Sequence, residues 1–272
     1  MSFFVLVRGG GDLGSGVVVR LHRAGLRVAV AEIPQPLAVR RKVSFAEAVY
    51  AGETTVEEVR ARRVPDAVDT FRILRIYSQG LVPVLVDPQA DSLKTLRPTV
   101  LVDARMTKRP PDLSRDAVHL YIGLGPGFQA GFNCHAVIET QRGPFLGRVT
   151  WQGPAEADTG EPEAVRGVGS ERVLRAPADG VVEARAEIGD LLEAGQPVAA
   201  VNGQLVTAPF SGVLRGLIHP GIEVARGAKI GDLDPRSDLR LCELVSDKAL
   251  AVGGGVLEAI LARPNLRPLL WT

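Results

Sequence analysis

Short apolar runs alternate with amphipathic stretches over the first part of the chain. Residues 3–7 (FFVLV) form a continuous apolar run that predicts a buried strand, and residues 12–23 predict a helix that ends at Gly25. The same criteria predict strands at 27–31, 82–86 and 99–102, and helices near 43–50, 54–63 and 66–79. Because strands that alternate with helices favour a parallel sheet covered on both faces, the predicted fold class is α/β, beginning with a Rossmann-like parallel sheet.

The pattern changes near residue 118. Short strand-like runs follow at 120–123, 134–140 and 148–151, and residues 152–170 are rich in glycine, proline and acidic side chains, which predicts a long loop. Four segments are therefore predicted: a Rossmann-like nucleotide-binding domain at 1–117, a strand-rich segment packing on it at 118–170, a β module at 171–236, and a helical tail at 237–272 that returns to the first domain.

The tail prediction depends on its apolar positions. Residues 256–261 form an apolar-rich helical stretch after three glycines, and it needs cover from another part of the protein. Four more apolar residues follow it, namely Leu266, Leu269, Leu270 and Trp271.

Residues 173–235 contain an internal repeat. Five pairs of landmarks share one offset of 32 residues: Ala176 and Ala208, Gly180 and Gly212, Gly189 and Gly221, Gly195 and Gly227, Val198 and Ile230. Each half would leave an apolar face uncovered, so the two halves are expected to wrap together. The pattern resembles the biotinyl/lipoyl-type barrel-sandwich hybrid. Carrier proteins of that type hold a modified lysine on the hairpin between the halves. Residues 202–204 (NGQ) lack a lysine there, so we expect no biotin or lipoyl group and a structural or docking module.

Composition and charge narrow the range of partners. The formal net charge is +1, so the chain has no electrostatic signature of nucleic-acid or membrane binding. No apolar run is long enough to cross a bilayer, and the N-terminal apolar run is too short for a signal peptide. The two cysteines, Cys134 and Cys242, do not form a CxxC pair, which favours a reducing compartment. We therefore expect a cytoplasmic protein.

The first candidate site is a glycine loop at residues 9–14. Gly9, Gly11 and Gly14 fit the pattern GxGxxG between a strand and a helix, where backbone amides favour a phosphate. Glu32, at the end of the next strand, could accept hydrogen bonds from a ribose and would repel a 2′-phosphate, which favours NAD or an adenosine-type nucleotide over NADP. Asp12 would place a second carboxylate beside the phosphate, which requires a metal ion or another pose. The alternative is that the glycines serve only tight packing of helix on strand.

His135 and Glu139 are candidate catalytic residues. In a strand they would face the same side with Cα atoms about 13 Å apart, whereas in a helix their spacing would bring them together. Val137 and Ile138 favour the strand. The alternative for His135 is a half-buried histidine with a structural hydrogen bond.

A cleft between two glycine loops is the predicted active centre. The second glycine loop, residues 123–128, contains Gly123, Gly125 and Gly127, and these are predicted to bind a cofactor. In a parallel sheet ligands lie beyond the carboxyl ends of the strands, where Asp87 and Asp103 are also predicted. Anionic groups of the ligand could meet cationic side chains, namely Lys108, Arg142 and the cluster 40–42 (RRK). Lys108 is also a candidate catalytic residue. The alternative for these cations is a solvated face or separate salt bridges. No metal site is predicted.

Several longer motifs together resemble one known family. They are RGGGDLGSG (8–16), EIPQPLAVRRKVSFAEAVYAG (32–52), PVLVDP (83–88), VLVDAR (100–105), GLGPGF (123–128), HAVIETQRG (135–143), LGRV (146–149), ERVLRAPADG (171–180), KIGDLDPR (229–236) and SDKALAVGGGVLEAI (246–260). The chain resembles the YqeB-type accessory proteins of selenium-dependent molybdenum hydroxylase systems, and its layout is similar to that of maturation factors for xanthine-dehydrogenase-type enzymes.

The resemblance implies a pathway without a defined reaction. It implies a maturation role, a nucleotide or molybdopterin-type ligand, and a molybdenum hydroxylase apoenzyme as partner; self-association stays open. It identifies no catalytic residue. Two alternatives remain: an NAD-dependent oxidoreductase, for which no catalytic pair stands out, and a non-enzymatic scaffold with a docking barrel.

Overall fold

The chain forms two compact units. A computed structural model describes residues 3–157, 160, 165 and 167–270, so the predicted apolar residue Trp271 lies outside the described residues. The sheet unit comprises Met1–Pro36, Phe45–Asp158 and Val245–Thr272, and the repeat unit comprises Leu37–Ser44 and Thr159–Leu244. None of the helices among the described residues combines the length and apolar character needed to span a membrane.

Parallel strands make up most of the sheet unit. Its strands are β1 (Val5–Arg8), β2 (Val28–Glu32), β3 (Glu53–Val56), β4 (Val59–Val64), β5 (Val82–Val86), β6 (Val100–Asp103), β7 (Leu120–Leu124), β8 (Gln129–Ala130), β9 (Ala136–Ile138), β10 (Val149–Thr150) and β11 (Gly153–Pro154). The described residues form a nine-stranded sheet in the order β10-β9-β7-β6-β1-β2-β5-β4-β3 and a separate pair, β11-β8. Strand β1 lies inside the sheet and is buried along its whole length, as the apolar run at 3–7 predicts.

Helices connect these strands and cover the sheet. They are α1 (Asp12–Arg23), α2 (Ala48–Ala51), α3 (Thr70–Ser78), α4 (Ser92–Leu96) and α5 (Asp247–Leu261). Single 3-10 turns occur at Arg41–Val43, Phe45–Glu47, Arg115–Ala117, Ser170–Arg172, Leu239–Cys242 and Arg267–Leu269. The helix predicted at 12–23 is confirmed with the same bounds.

The helix predicted near 54–63 is wrong. These residues form the hairpin of β3 and β4, in which Val56 pairs with Val59 across a turn at Glu57, whose φ is +52°. The reason is the alternation at the start of β4, where Val59 and Ala61 are buried whereas Arg60 between them is exposed. A buried apolar residue at every second position is the pattern of a strand with one covered face.

Helix α5 packs closely against α1 in the sheet unit. Its N-terminus is capped by Ser246, whose hydroxyl accepts a hydrogen bond from the Ala249 amide at 3.1 Å. The two helices meet at glycines. A Cβ atom at Gly16 would overlap the backbone of Ala249, and a Cβ atom at Gly253 would lie 2.6 Å from the Gly16 carbonyl oxygen. The absence of side chains at these positions permits the close approach.

The strands of the repeat unit divide between the two halves of the duplicated sequence. Its first half contains β12 (Val173–Arg175), β13 (Gly180–Ala184), β14 (Leu191–Leu192) and β15 (Pro197–Val201). Its second half contains β16 (Gln204–Thr207), β17 (Gly212–Leu217), β18 (Glu223–Val224) and β19 (Lys229–Asp234). The strands form two four-stranded sheets, in the orders β12-β19-β17-β14 and β16-β15-β13-β18. Each sheet thus takes two strands from each half, so neither half completes a sheet alone.

The predicted fold class needs correction. The large sheet is mixed, because β3 and β10 pair antiparallel to their neighbours at its two edges. The described residues of the repeat unit form two separate antiparallel sheets and give no positive sign of a biotinyl/lipoyl-type barrel-sandwich hybrid. An alternation of strands and helices does not reveal hairpins added at a sheet edge. A repeat shows that two halves pair, but it does not identify the fold that they form.

Candidate functional site

The glycine loop leads from β1 into α1. The Gly9 amide donates to the Ala31 carbonyl at 2.8 Å, and its φ of +95° turns the chain away from the sheet. Gly14 lies in the first turn of α1, where a Cβ atom would overlap the Gly9 carbonyl oxygen. Both glycines are therefore required by the turn itself and by the approach of helix to strand.

Glu32 lies directly beside this loop. It ends β2, which pairs with β1 in parallel register so that Ala31 faces Arg8. One carboxylate oxygen of Glu32 accepts from the Gly10 amide at 2.6 Å, and the other accepts from the Ile33 amide at 2.9 Å. Burial raises the pKa of Glu32, and these two hydrogen bonds oppose the shift. The predicted ribose-binding acid and phosphate-binding loop are thus neighbours.

One side of the loop is covered and another is open. The Gly10 carbonyl accepts from the Ala46 amide at 3.0 Å and from the Ser15 hydroxyl at 2.9 Å. A Cβ atom at Gly10 would lie 2.9 Å from the Ala46 nitrogen. At Gly11, which precedes the first helical residue Asp12, a Cβ atom would meet nothing within 4 Å. Free space in this loop is therefore found at Gly11, at the N-terminus of α1.

A buried ion network lies at the same edge of the sheet. We define the Arg8 cluster as Arg8, Asp103, Arg105, Asp112 and Tyr121. Arg8, whose side chain is 2% exposed, donates to both carboxylate oxygens of Asp112 at 2.7 and 3.2 Å. Arg105 donates to both oxygens of Asp103 at 2.9 and 2.6 Å. The Tyr121 hydroxyl donates to Asp103 at 3.2 Å.

The ionisation of this cluster follows from its contacts. The hydrogen bond from Arg8 holds the pKa of Asp112 well below its usual range. Burial, together with the neighbouring carboxylate of Asp103, raises the pKa of Tyr121. Two guanidinium groups balance two carboxylates, so the cluster is neutral in sum and fastens residues 104–112 to the sheet.

The other predicted acid at this edge, Asp87, also has a structural role. It is buried and accepts from the amides of Asp91 at 2.8 Å and Ser92 at 3.0 Å, at the start of α4. Sequence reasoning placed Asp87 and Asp103 correctly at strand ends but missed Arg8, Arg105, Asp112 and Tyr121. Arg8 was detectable, because a charged residue that directly continues a buried apolar strand needs a partner.

The second glycine loop packs against protein at each of its three predicted glycines. A Cβ atom at Gly123 would overlap the Phe128 ring, and one at Gly125 would overlap the Thr140 hydroxyl. At Gly127 it would lie 2.5 Å from the Arg109 carbonyl oxygen. The space beside these three glycines is therefore filled.

Residues 104–112 lie between the two glycine loops. A Cβ atom at Gly9 would lie 3.1 Å from the backbone of Ala104 and Arg105, while Gly127 abuts Arg109. The segment 104–112 thus reaches from one loop to the other along the region where the cleft was predicted.

The predicted catalytic residues His135 and Glu139 are engaged by backbone amides. The strand interpretation is confirmed, since they flank β9. Nδ1 of His135 accepts from the Tyr121 amide at 2.9 Å, and burial followed by the charge of Arg115 lowers the pKa of His135. The Glu139 carboxylate accepts from the amides of Thr140, Gln141 and Glu156 at 2.7, 2.7 and 2.8 Å. Glu139 therefore stabilises a turn and anchors a second segment.

The predicted cations differ in their contacts. Lys108 is exposed, with a φ of +58°. Arg142 forms a bidentate ion pair with Asp247 at 2.6 and 2.7 Å, which lowers the pKa of Asp247 to about 2. Residues 40–42 belong to the repeat unit, where Arg40 donates to the Leu241 and Leu244 carbonyls. Arg142 and Arg40 are therefore engaged by other parts of the protein.

Comparison with known proteins gives one sequence relative. The chain is 43% identical over 257 residues to the uncharacterized protein YqeB of Escherichia coli K12, which covers 94% of this chain and 47% of that protein. The chain thus spans about half the length of this relative. This similarity supports a YqeB-type family and assigns no activity. No family model matches the chain.

Solved structures with related chain paths are distant. An aspartoacylase family protein of Mesorhizobium loti is 11% identical with a TM-score of 0.27, covering 86% of this chain and 85% of that one. A succinylglutamate desuccinylase/aspartoacylase of Rhodobacter sphaeroides is 12% identical with a TM-score of 0.25, covering 85% of each chain. Scores this low carry no argument about function.

Proposed function

We propose that the glycine loop and Glu32 bind an adenosine-type nucleotide or a molybdopterin-type nucleotide ligand. The observation that carries the proposal is the 2.6 Å hydrogen bond between the Glu32 carboxylate and the Gly10 amide. It places a hydroxyl-binding group beside the one stretch of the loop, at Gly11, where a Cβ atom meets no neighbour.

Each part of this site has a separate role in the proposal. Backbone amides at the N-terminus of α1 would hold a phosphate, and the absent side chain at Gly11 would let it approach. The Glu32 carboxylate would accept a ribose hydroxyl, and its negative charge would reject a 2′-phosphate. Burial of Glu32 strengthens this discrimination, because charges interact more strongly away from water.

We further propose that the protein acts as an accessory factor in the maturation of a selenium-dependent molybdenum hydroxylase. The support is the set of motifs shared with YqeB-type proteins, together with 43% identity to YqeB over 257 residues. A role in holding a ligand also agrees with the engagement of His135 and Glu139 by backbone amides, which leaves neither carboxylate oxygen of Glu139 without a structural partner. The hydroxylase apoenzyme is the proposed partner.

A non-enzymatic scaffold is the second candidate function. It is favoured by the close packing of Gly9 and Gly14, because contacts within the protein already explain why these positions are glycine. In that case the loop is structural and no nucleotide binds.

Calorimetry separates these candidates. Titration of the full chain with NAD, NADP, ATP, CTP and molybdopterin species should give binding of at least one ligand, with NADP weaker than NAD. Gly11→Val should abolish that binding, because its side chain occupies the phosphate position. Gly254→Val is the matched control, since Gly254 also faces open space but lies in α5. Absence of binding to every ligand would favour the scaffold, whereas full binding by a folded Gly11→Val protein would place the ligand away from the glycine loop.

The proposed pathway needs a separate cellular test. Cells that depend on this protein for molybdenum hydroxylase activity should lose that activity with Gly11→Val and retain it with Gly254→Val. Retained activity with Gly11→Val, when calorimetry shows lost binding, would separate the maturation role from nucleotide binding.

A further inference from the structure

A cavity that is open to solvent lies in the sheet unit, beside α3 and β4. Its volume is about 530 Å³, within the range of sites for small organic molecules. It is lined by Arg62, Asp69, Phe71, Arg72, Arg75 and Ile76. None of these residues belongs to the glycine loop, the Arg8 cluster or the second glycine loop.

Helix α3 holds the lining residues in place. Asp69 caps the helix by accepting from the Arg72 amide at 3.0 Å. The inner face is anchored by Ile73 and Ile76, which are 1% and 2% exposed. Since residues three apart are neighbours on a helix, Arg72 and Arg75 lie on the same flank.

The three arginines of the cavity differ in their hydrogen-bond and ionic partners. Arg62 donates to the Glu53 carboxylate at 2.6 Å and to the Gln79 side-chain oxygen at 2.6 Å. Among the described residues, the guanidinium groups of Arg72 and Arg75 have no hydrogen-bonding or ionic partner. Two guanidinium forks on one helix flank are suited to an oxyanion, which they can bind through paired N–H groups.

The cavity also has an uncovered aromatic wall. Phe71 is 88% exposed, whereas Ile73, two residues later in α3, is buried. An exposed large apolar side chain beside cations is informative, because leaving apolar area in water is unfavourable by about 25 cal/mol per Å². A flat ring packed on Phe71 would cover this area and bring an attached anion within reach of the arginines.

We propose that this cavity binds a small organic anion in which a phosphate or carboxylate group is attached to an aromatic ring. Arg72 and Arg75 bind the oxyanion, and Phe71 packs against the ring. Arg62, held by Glu53 and Gln79, completes the lining, and Glu53 offsets its charge. This site is separate from the nucleotide site at the glycine loop and does not depend on it.

Titration calorimetry on the full chain tests the proposal with defined probes. 1-Naphthyl phosphate and 1-naphthoate carry both required groups and distinguish the two oxyanions, whereas inorganic phosphate and 1-naphthol carry one group each. At least one naphthyl anion should bind more tightly than both partial probes. Hydrogen exchange should slow in α3 when it binds.

Variants then locate the binding. Arg72→Gln and Arg75→Gln should each weaken binding by about tenfold, since a hydrogen bond to a charged group contributes about 1.5 kcal/mol. Phe71→Ser should weaken the naphthyl anions but leave inorganic phosphate unchanged. Arg60→Gln is the matched control, because Arg60 lies on the same strand as Arg62 but outside the cavity. Gly11→Val should have no effect, which excludes binding at the glycine loop.

Four results would overturn the proposal, and the first three concern the naphthyl anions. They are the absence of binding by both naphthyl anions at millimolar concentration, binding that survives the Arg72→Gln, Arg75→Gln double change, and binding lost in Gly11→Val. Preference for an acidic peptide with apolar residues over either naphthyl anion would also overturn it, and would identify this face as a protein-docking surface.

Discussion

The two glycine loops of the sheet unit follow parallel strands of one sheet, yet their surroundings differ. In the first loop a Cβ atom at Gly11 would meet no atom within 4 Å, and Glu32 hydrogen-bonds the preceding amide. In the second loop the corresponding spaces beside Gly123, Gly125 and Gly127 are occupied by Phe128, Thr140 and Arg109. Similar glycine spacing thus accompanies an open helix N-terminus in one case and dense packing in the other.

This difference shows what a glycine motif indicates. A glycine is required wherever the chain or a ligand comes too close for a side chain, and the motif alone does not say which of the two approaches. The two cases are distinguished by which atoms a Cβ atom at the glycine would meet. By that criterion Gly11 is a candidate for ligand approach, while Gly14 and Gly127 serve the fold.

The largest expected effect is a contrast within the first loop. Gly14→Ala should reduce the free energy of unfolding by about 3 kcal/mol or more, because its Cβ overlaps the Gly9 carbonyl oxygen. Gly11→Ala should change it by less than about 1 kcal/mol, since its surroundings are open. Urea denaturation of both variants measures the contrast. Equal destabilisation would show that Gly11 is also closely packed.

The second contrast lies in the second loop. Gly127→Ala combines a positive φ of +100° with a contact of 2.5 Å to the Arg109 carbonyl oxygen, so we expect a loss of about 2–3 kcal/mol. Gly131→Ala has a similar φ of +84° and open surroundings, so it measures backbone strain alone, about 1 kcal/mol. If thermal unfolding gave the two variants the same stability, steric filling of the second loop would be refuted.

The segment 104–112 between the loops gives a pH-dependent prediction. Arg8 lowers the pKa of Asp112, so the stabilisation from this pair is present above the unfolded pKa and is lost as pH falls through the lower folded pKa. Because Asp112 is 51% exposed, Asp112→Asn should cost only about 1 kcal/mol at pH 7. The difference in free energy of unfolding between Asp112→Asn and the wild type should become smaller below about pH 4, where an aspartate ordinarily becomes protonated. Denaturation at pH 7 and pH 3 tests this, and a gap that does not depend on pH would contradict it.

The smallest effect is expected at Arg142. Its partner Asp247 is 76% exposed, so Arg142→Gln should lower stability by about 0.5 kcal/mol. Nucleotide affinity should be unchanged, because Arg142 is bound to Asp247. A marked loss of nucleotide affinity in calorimetry would show that Arg142 contributes to ligand binding. The difference drawn between the two glycine loops would then be weaker.

Local elements of the fold were predictable, whereas their partners were not. The apolar run at 3–7, the glycines and the helix at 12–23 were recognised because each depends on neighbouring residues. The hairpin of β3 and β4 was mistaken for a helix because its burial at every second residue depends on β5, a strand far along the chain. The biotinyl/lipoyl-type prediction failed in the same way, since the repeat determines symmetry but not fold.

Part of the candidate site was predictable from the sequence. The rest depends on contacts between distant parts of the chain. Glu32 was identified from its place at the end of β2, and parallel pairing with β1 carries it to the loop. The segment between His135 and Glu139 was recognised as a strand, β9, which the two residues flank, but their hydrogen-bond partners from other segments were not foreseeable. The amides of Tyr121 and Glu156 that engage them lie 14 and 17 residues away in the chain.

The sequence by itself therefore determined where the turns of this protein are tight and which residues end its buried strands. Tertiary structure alone decided which tight turns retain open space. The physical reason is steric: the atoms beside Gly9 and Gly127 come from residues 104–109, and those beside Gly14 come from Gly9 and Ala104. Open space at Gly11 is a property of the assembled sheet unit, which no local pattern contains.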